Sequence, residues 1–177
     1  MKTPDIKPNP NPKQHYEITM TVDGAPKGFD SVSGSMQYVV KNSDACVAPD
    51  PVSGHHSNLA QFLPFDIKKV DEHTYKGTVV TDHFLDADYY GLGVCHWVMS
   101  SAMAVFKING NSIDLRPSIL NEDLVAEKSV DVYFPLADLS ASDGLKYGDG
   151  GQPLAEVSPQ IRQAVFHITL SSRKETP

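Results

Sequence analysis

The chain has 177 residues, 40% of them hydrophobic and 21% charged. That is the composition of one globular domain with its own core, and it excludes a disordered chain. No apolar run approaches the ~18 residues of a membrane-spanning helix. A net charge of −7 repels phosphate backbones, so nucleic acid is not expected as a partner and a neutral or basic one is favoured.

In chain order, the first segment carries Pro4, Pro8, Pro10 and Pro12. Such a run neither continues a helix nor donates a strand ladder, so residues 1–14 are expected as an extended, flexible tether dispensable for folding. Many bacterial lipoproteins carry a proline-rich tether of this kind between the acylated cysteine and a compact β domain. Met1 is therefore expected to stand where a signal and its lipid-bearing cysteine were removed; the alternative is a natural cytosolic start with a loose tail.

Residues 15–22 place Tyr16, Ile18, Met20 and Val22 on one face, a half-buried strand. Residues 33–40 repeat the pattern with Met36, Tyr38 and Val40. Residues 47–58 form a loop holding His55 and His56. A third strand is expected over 61–70, hairpinned to a fourth over 73–80. Residues 82–93, DHFLDADYYGLG, form an acidic and aromatic loop. A long strand then runs over 94–108. Asn109-Gly110 suits a two-residue type I′ turn, because both positions tolerate positive φ, with 111–120 returning as its partner. Residues 121–128 suit one helical turn and 129–134 a strand. Residues 137–159 read as loop, with turns at Asp143-Gly144 and Asp149-Gly150. A last strand over 163–170 precedes a charged tail. The sum is an all-β chain: a single two-sheet sandwich of about eight mostly antiparallel strands with little helix, spanning residues 15–171, with a tail over 172–177.

Cys46 and Cys95 have no CxxC neighbourhood, which excludes a zinc knuckle. An isolated pair in an all-β chain behind such a tether suggests a disulfide in an oxidising compartment. Two buried free thiols in a cytosolic protein are the alternative. Seven histidines invite a metal, but no His-x3-His or His-Glu-x-x-His spacing fixes one, so no metal or other cofactor is expected. A GxSxG elbow is missing, Ser33-Gly34-Ser35 reads as the start of a strand, and Asp86 with Asp88 reads as solvated. No enzyme activity is expected. Within 82–93 two accounts stand. In one, Tyr89 or Tyr90 forms a tyrosine corner, with Trp97 packed over the cysteine bridge. In the other, Asp82, His83, Asp86, Asp88, Tyr89 and Tyr90 form a protruding partner-binding surface, tyrosines at the tip.

The stretches Tyr38-Val-Val-Lys-Asn-Ser-Asp-Ala-Cys46-Val-Ala-Pro49 and Asp88-Tyr-Tyr-Gly-Leu-Gly-Val-Cys-His-Trp97 resemble a group of small bacterial lipoproteins, over residues 16–120. These pair a cysteine after the second strand with a YYGxGxC-W stretch, and several are similar to immunity partners of type VI secretion effectors. The resemblance implies a periplasmic, lipid-anchored protein that binds and neutralises a toxic effector enzyme, with no catalytic residues to carry over. The rivals are a periplasmic small-ligand or metal-binding lipoprotein and a structural cell-envelope lipoprotein.

Overall fold

A computed structural model describes residues 4–142 and 144–176; half of the expected Asp143-Gly144 turn, and the reading of Met1, lie outside them. The strands are β1 (His15–Asp23), β2 (Ser31–Val40), β3 (Ala60–Phe65), β4 (Ile67–Lys69), β5 (Thr74–Val80), β6 (Trp97–Lys107), β7 (Ile113–Leu115), β8 (Ser118–Leu120), β9 (Val130–Pro135), β10 (Tyr147–Asp149) and β11 (Val165–Lys174). Two short helices, α1 (Ser43–Cys46) and α2 (Asn121–Val125), complete the framework, with 3₁₀ turns at Leu136–Ser140 and Leu154–Glu156. One sheet runs in the order β4-β5-β1-β11-β9. The other runs β10-β7-β6-β2-β3, with β8 beside β6. The chain is an all-β sandwich.

Period-two alternation builds the core. Tyr16, Ile18, Met20 and Val22 on β1 and Phe166, Ile168 and Leu170 on β11 bury one face of the first sheet. Met36, Tyr38 and Val40 on β2 and Met99, Ala102, Ala104 and Phe106 on β6 meet them from the second. Burying each large side chain contributes about 1.5–3 kcal/mol. Tyr75 of β5 meets Phe106 of β6 edge to face at 5.2 Å, across the two sheets. A bulge between Gln37 and Tyr38 shifts the β2–β6 register and keeps both inward sets of β6 on the core side.

The structure departs from the expected elements in five places. The single strand over 61–70 is two: the chain turns at Asp66, so β3 pairs with β2 in one sheet and β4 with β5 in the other. The expected hairpin survives only as β4–β5. Asn109-Gly110 does not make a type I′ hairpin. Gly110 has φ +80°, Asn109 keeps a negative φ, and the Asn111 N–H reaches the Ile108 carbonyl at 3.0 Å. Asp30 holds that turn through the Asn109 N–H at 2.6 Å, and β7 and β8 pair with β6 separately. The long loop over 137–159 contains β10, which lies parallel to β7. The expected strand over 94–108 starts at Trp97. The expected tail begins inside β11, whose Ser172, Arg173 and Lys174 pair with Ile18, Glu17 and Tyr16.

The expected tether lies along the domain. Pro8 bridges to Phe84, the Leu85 N–H donates to the Lys7 carbonyl at 3.0 Å, and the Asn9 N–H donates to the His83 carbonyl at 2.6 Å. Asp82 accepts the N–H groups of Lys13 and Gln14 at 2.9 and 3.1 Å. The prolines at 8, 10 and 12 alternate with the residues that donate. Their missing N–H groups therefore fall on the side with no ladder, where proline costs a strand nothing. Ile6 packs against the core. Removing residues 2–13 should lower the melting temperature by more than ~5 °C, about 2 kcal/mol in a domain of this size. Calorimetry checks this; an unchanged melting temperature would restore the loose tether.

Candidate functional site

Residues 81–96 carry the chain from β5 in one sheet to β6 in the other. Their far end is fastened to the α1 segment. Cys46 and Cys95 are joined by a disulfide, with Cα atoms 5.3 Å apart and both residues fully buried. Asn42, just before α1, accepts the His96 N–H and donates to the Val94 carbonyl, both at 2.8 Å. The Cys95 N–H donates to the Ala87 carbonyl at 2.9 Å.

The acids expected at a binding surface are committed to backbone N–H groups of the protein itself. Asp82 holds the N-terminal segment. Asp86 accepts the Trp97 N–H at 2.9 Å and meets His96 Nδ1 at 2.7 Å. Asp88 accepts the N–H groups of Gly91 and Leu92 at 2.6 and 3.1 Å, an Asx turn with Gly91 at φ +75°. Partial desolvation pushes the Asp88 carboxyl upward, but the backbone donors of residues 90–93 outweigh it and hold it below the usual carboxylate range.

The aromatic residues divide in the same way. Phe84, which belongs to no motif in the sequence, plugs the end of the sandwich. Its ring centroid lies 5.1 Å from Tyr38 and 5.2 Å from Trp97. His83 packs 4.8 Å from Phe84. The Tyr38 hydroxyl donates to the Val80 carbonyl; burial, then the charge of Asp82, raises its pKa. The Tyr89 hydroxyl donates to the Leu85 carbonyl at 2.7 Å, four residues upstream, and accepts the Lys7 N–H at 3.3 Å. That bond back to the upstream backbone is what a tyrosine corner makes. Tyr89 and Tyr90 are both half-buried against the core, and burial raises the Tyr90 hydroxyl. The tyrosines are thus not a protruding tip. The corner account read from the sequence is the one Tyr89 fits; which upstream carbonyl takes its hydroxyl is supplied by the fold.

Beside the exposed Asp86, Asp88 and His96 the loop also exposes aliphatic side chains: Leu92 and Val94 are 55% and 46% exposed, and Leu85, earlier in the loop, is 37% exposed. Between the loop and β6 lies a cleft of about 580 Å³ lined by Phe84, Leu85, Asp86, Trp97, Val98 and Asn121. Trp97 Nε1 and Asn121 Oδ1 are buried without a hydrogen-bond partner.

Among the described residues no group of three or more His, Cys, Asp or Glu converges on one point. His56 Nδ1 meets the Val47 carbonyl at 2.7 Å, and His55 stands exposed. A second acidic pair comes from the region read as loop: Asp138, in the 3₁₀ turn, and Asp149, on β10. Burial raises the Asp138 carboxyl to about 7, helped by its hydrogen bond to Asp149 and by that residue's charge. A raised carboxyl binds its proton in the folded state before the unfolded chain does. Its contribution is therefore complete below about pH 4 and lost as pH rises through about 7. Asp138→Asn should raise stability at pH 8 by about 1–2 kcal/mol, allowing for solvent screening, and flatten the dependence between pH 5 and 8. Thermal melts across that range measure it; an unchanged slope would reject the shared proton.

The chain matches no family model, no curated protein and no solved structure.

Proposed function

We propose that the chain is a non-catalytic periplasmic immunity protein that binds a toxic secreted effector enzyme and blocks it, held at the membrane by a lipid anchor. The observation that carries this reading is the 81–96 loop. It presents Leu85, Leu92 and Val94 on a backbone fixed by the disulfide, by Asn42 and by the Asp88 turn. Apolar groups on a pre-ordered loop bind a protein surface without the entropy cost of ordering it. The disulfide supports an oxidising compartment. The net negative charge would speed encounter with a basic cleft.

The test is a contact competition. A producing strain that lacks this gene should be killed by its parent, and the chain directed to the periplasm should restore it. Leu92→Asp with Val94→Asp should weaken effector binding at least ~30-fold and abolish protection without lowering the melting temperature. Tyr89→Phe should still protect, since its hydroxyl serves the loop's own backbone. Equal survival of the deleted strain beside its parent would reject the reading.

A further inference from the structure

Asparagine stands before a small residue at three places: Asn42-Ser43, Asn109-Gly110 and Asn111-Ser112. Asparagine is chemically labile in such pairs. The backbone nitrogen of the second residue attacks Cγ of the asparagine side chain, closing a five-membered succinimide; it gives up its proton and ammonia leaves. Water then opens the ring. Addition at Cγ breaks the new bond and leaves aspartate. Addition at the main-chain carbonyl carbon breaks the old peptide bond and leaves isoaspartate, with the chain running through Cγ. The net change is a side-chain amide plus water going to a carboxylate plus ammonium. The reaction needs an amide side chain free to swing onto the next nitrogen, an unbonded N–H there, and room around both.

The fold separates the three sites. Asn42 is held at both ends of its amide, by the Val94 carbonyl and the His96 N–H, each at 2.8 Å. Asn111 is 9% exposed, and its Nδ2 donates to the Asp138 carbonyl at 2.6 Å. The nitrogen that would attack it, that of Ser112, donates to the Ala141 carbonyl at 2.8 Å. Asn109 differs on every count. It is exposed, and among the described residues neither its side chain nor the Gly110 N–H has a hydrogen-bond partner. Gly110 has φ +80°, and nothing lies within 4 Å of the point a Cβ there would take. The turn itself is nonetheless fixed. The Asn109 N–H donates to Asp30 at 2.6 Å and the Asn111 N–H to the Ile108 carbonyl at 3.0 Å. The reacting pair is thus held side by side while its reacting groups stay free.

We infer that Asn109 is a site of succinimide-mediated deamidation in the folded protein, and that its isoaspartate product loosens the junction of β2 and β6. The Asp30 N–H donates to the Lys107 carbonyl at 2.8 Å, just before Ser31 of β2 pairs with Lys107 of β6. Isoaspartate lengthens the main chain by one methylene between residues 109 and 110. A turn closed around two residues cannot take up that atom and keep both of its bonds. The product also places a new carboxylate on the Cα whose N–H Asp30 holds, and like charges so close repel. This turn lies at the opposite end of β6 from the 81–96 loop and does not rest on the function proposed for that loop.

The whole chain is aged at mildly alkaline pH, once folded and once reduced in concentrated guanidinium chloride, and each site is followed by peptide mapping. Comparing a site with itself removes the intrinsic preference for glycine over serine. Folding should leave the Asn109 rate within ~3-fold of its unfolded value, and should slow Asn42 and Asn111 at least ~10-fold, because each must first break its hydrogen bonds by local opening. An isoaspartyl methyltransferase should label the aged wild type and not an aged Asn109→Gln variant. The product, separated on an anion exchanger by its added negative charge, should exchange its amides at Asp30 and Asn111 faster than fresh protein does. An Asn109 that survives in the folded protein while the unfolded chain converts would overturn the site. So would folded Asn42 or Asn111 reacting as fast as Asn109. Unchanged exchange at Asp30 and Asn111 in the pure product would overturn the loosening.

Discussion

Replacing Cys46 and Cys95 together by alanine should lower the unfolding free energy by ~4 kcal/mol. The bridge spans 49 residues of sequence, and a closed loop of that size removes roughly that much chain entropy from the unfolded state. The melting temperature should fall on the order of 10 °C, and reducing the wild type should produce the same fall. A second consequence separates the bridge from ordinary core packing. The bond ties the 81–96 loop to α1, so amide exchange at residues 85–96 should quicken more than exchange in the paired strands β1 and β11. Both cysteines are fully buried, so alanine also leaves a small cavity. A stability loss under ~1 kcal/mol, with uniform exchange, would mean the loop is fixed by its hydrogen bonds alone.

Phe65→Ala should cost ~3–5 kcal/mol, at the upper end for one core residue. Phe65 is the last residue of β3 before the chain turns at Asp66 into the opposite sheet. Its ring lies where two glycines make room from both sides. A Cβ on Gly34 of β2 would stand 2.5 Å from the ring, and one on Gly77 of β5 would stand 2.9 Å from it. The two positions should nevertheless respond differently. At Gly34 the three nearest atoms all belong to the ring, so the ~1–3 kcal/mol cost of Gly34→Ala should largely vanish when Phe65 is already alanine. Gly77→Ala also meets the Asp66 carbonyl at 2.7 Å, which is backbone and cannot withdraw, so its cost should remain in that background. Urea denaturation of the double-mutant cycle decides this. Simple additivity of Gly34→Ala with Phe65→Ala would show that the ring does not fill the space the glycine leaves.

The sandwich was legible where the signal is local. The alternating apolar residues of 15–22, 33–40 and 163–170 encode strands by themselves, because a pleated chain with one dry face requires period two whatever it pairs with. The cysteine pair was legible for a similar reason, since two isolated cysteines leave one possible bridge. The binding loop was legible as a loop and misleading in its parts. A carboxylate reads the same in sequence whether water or an N–H group fills its lone pairs. Asp82, Asp86 and Asp88 looked free, yet each accepts backbone N–H groups, and those of Asp82 come from a segment some 70 residues away.

What only the tertiary structure decided shares one cause: the partner that fixes each feature is distant in the chain. Phe65 and Ile67 alternate with Asp66 and Lys68, and that local pattern does not mark Asp66 as the crossing point. The crossing is set by β2 and β5 and by the room Gly34 and Gly77 leave for Phe65. The prolines of residues 4–12 dictated an extended backbone and no more. Asp82 and Phe84 are what dock that extension on the domain. Asn109-Gly110 permits a tight turn, but Asp30 takes the Asn109 N–H and the turn closes differently. Backbone preference is a property of a few consecutive residues, and the sequence states it directly. Which donor meets which acceptor, and which edge stays open, depends on how all the strands stack, and that is settled only when the chain has folded.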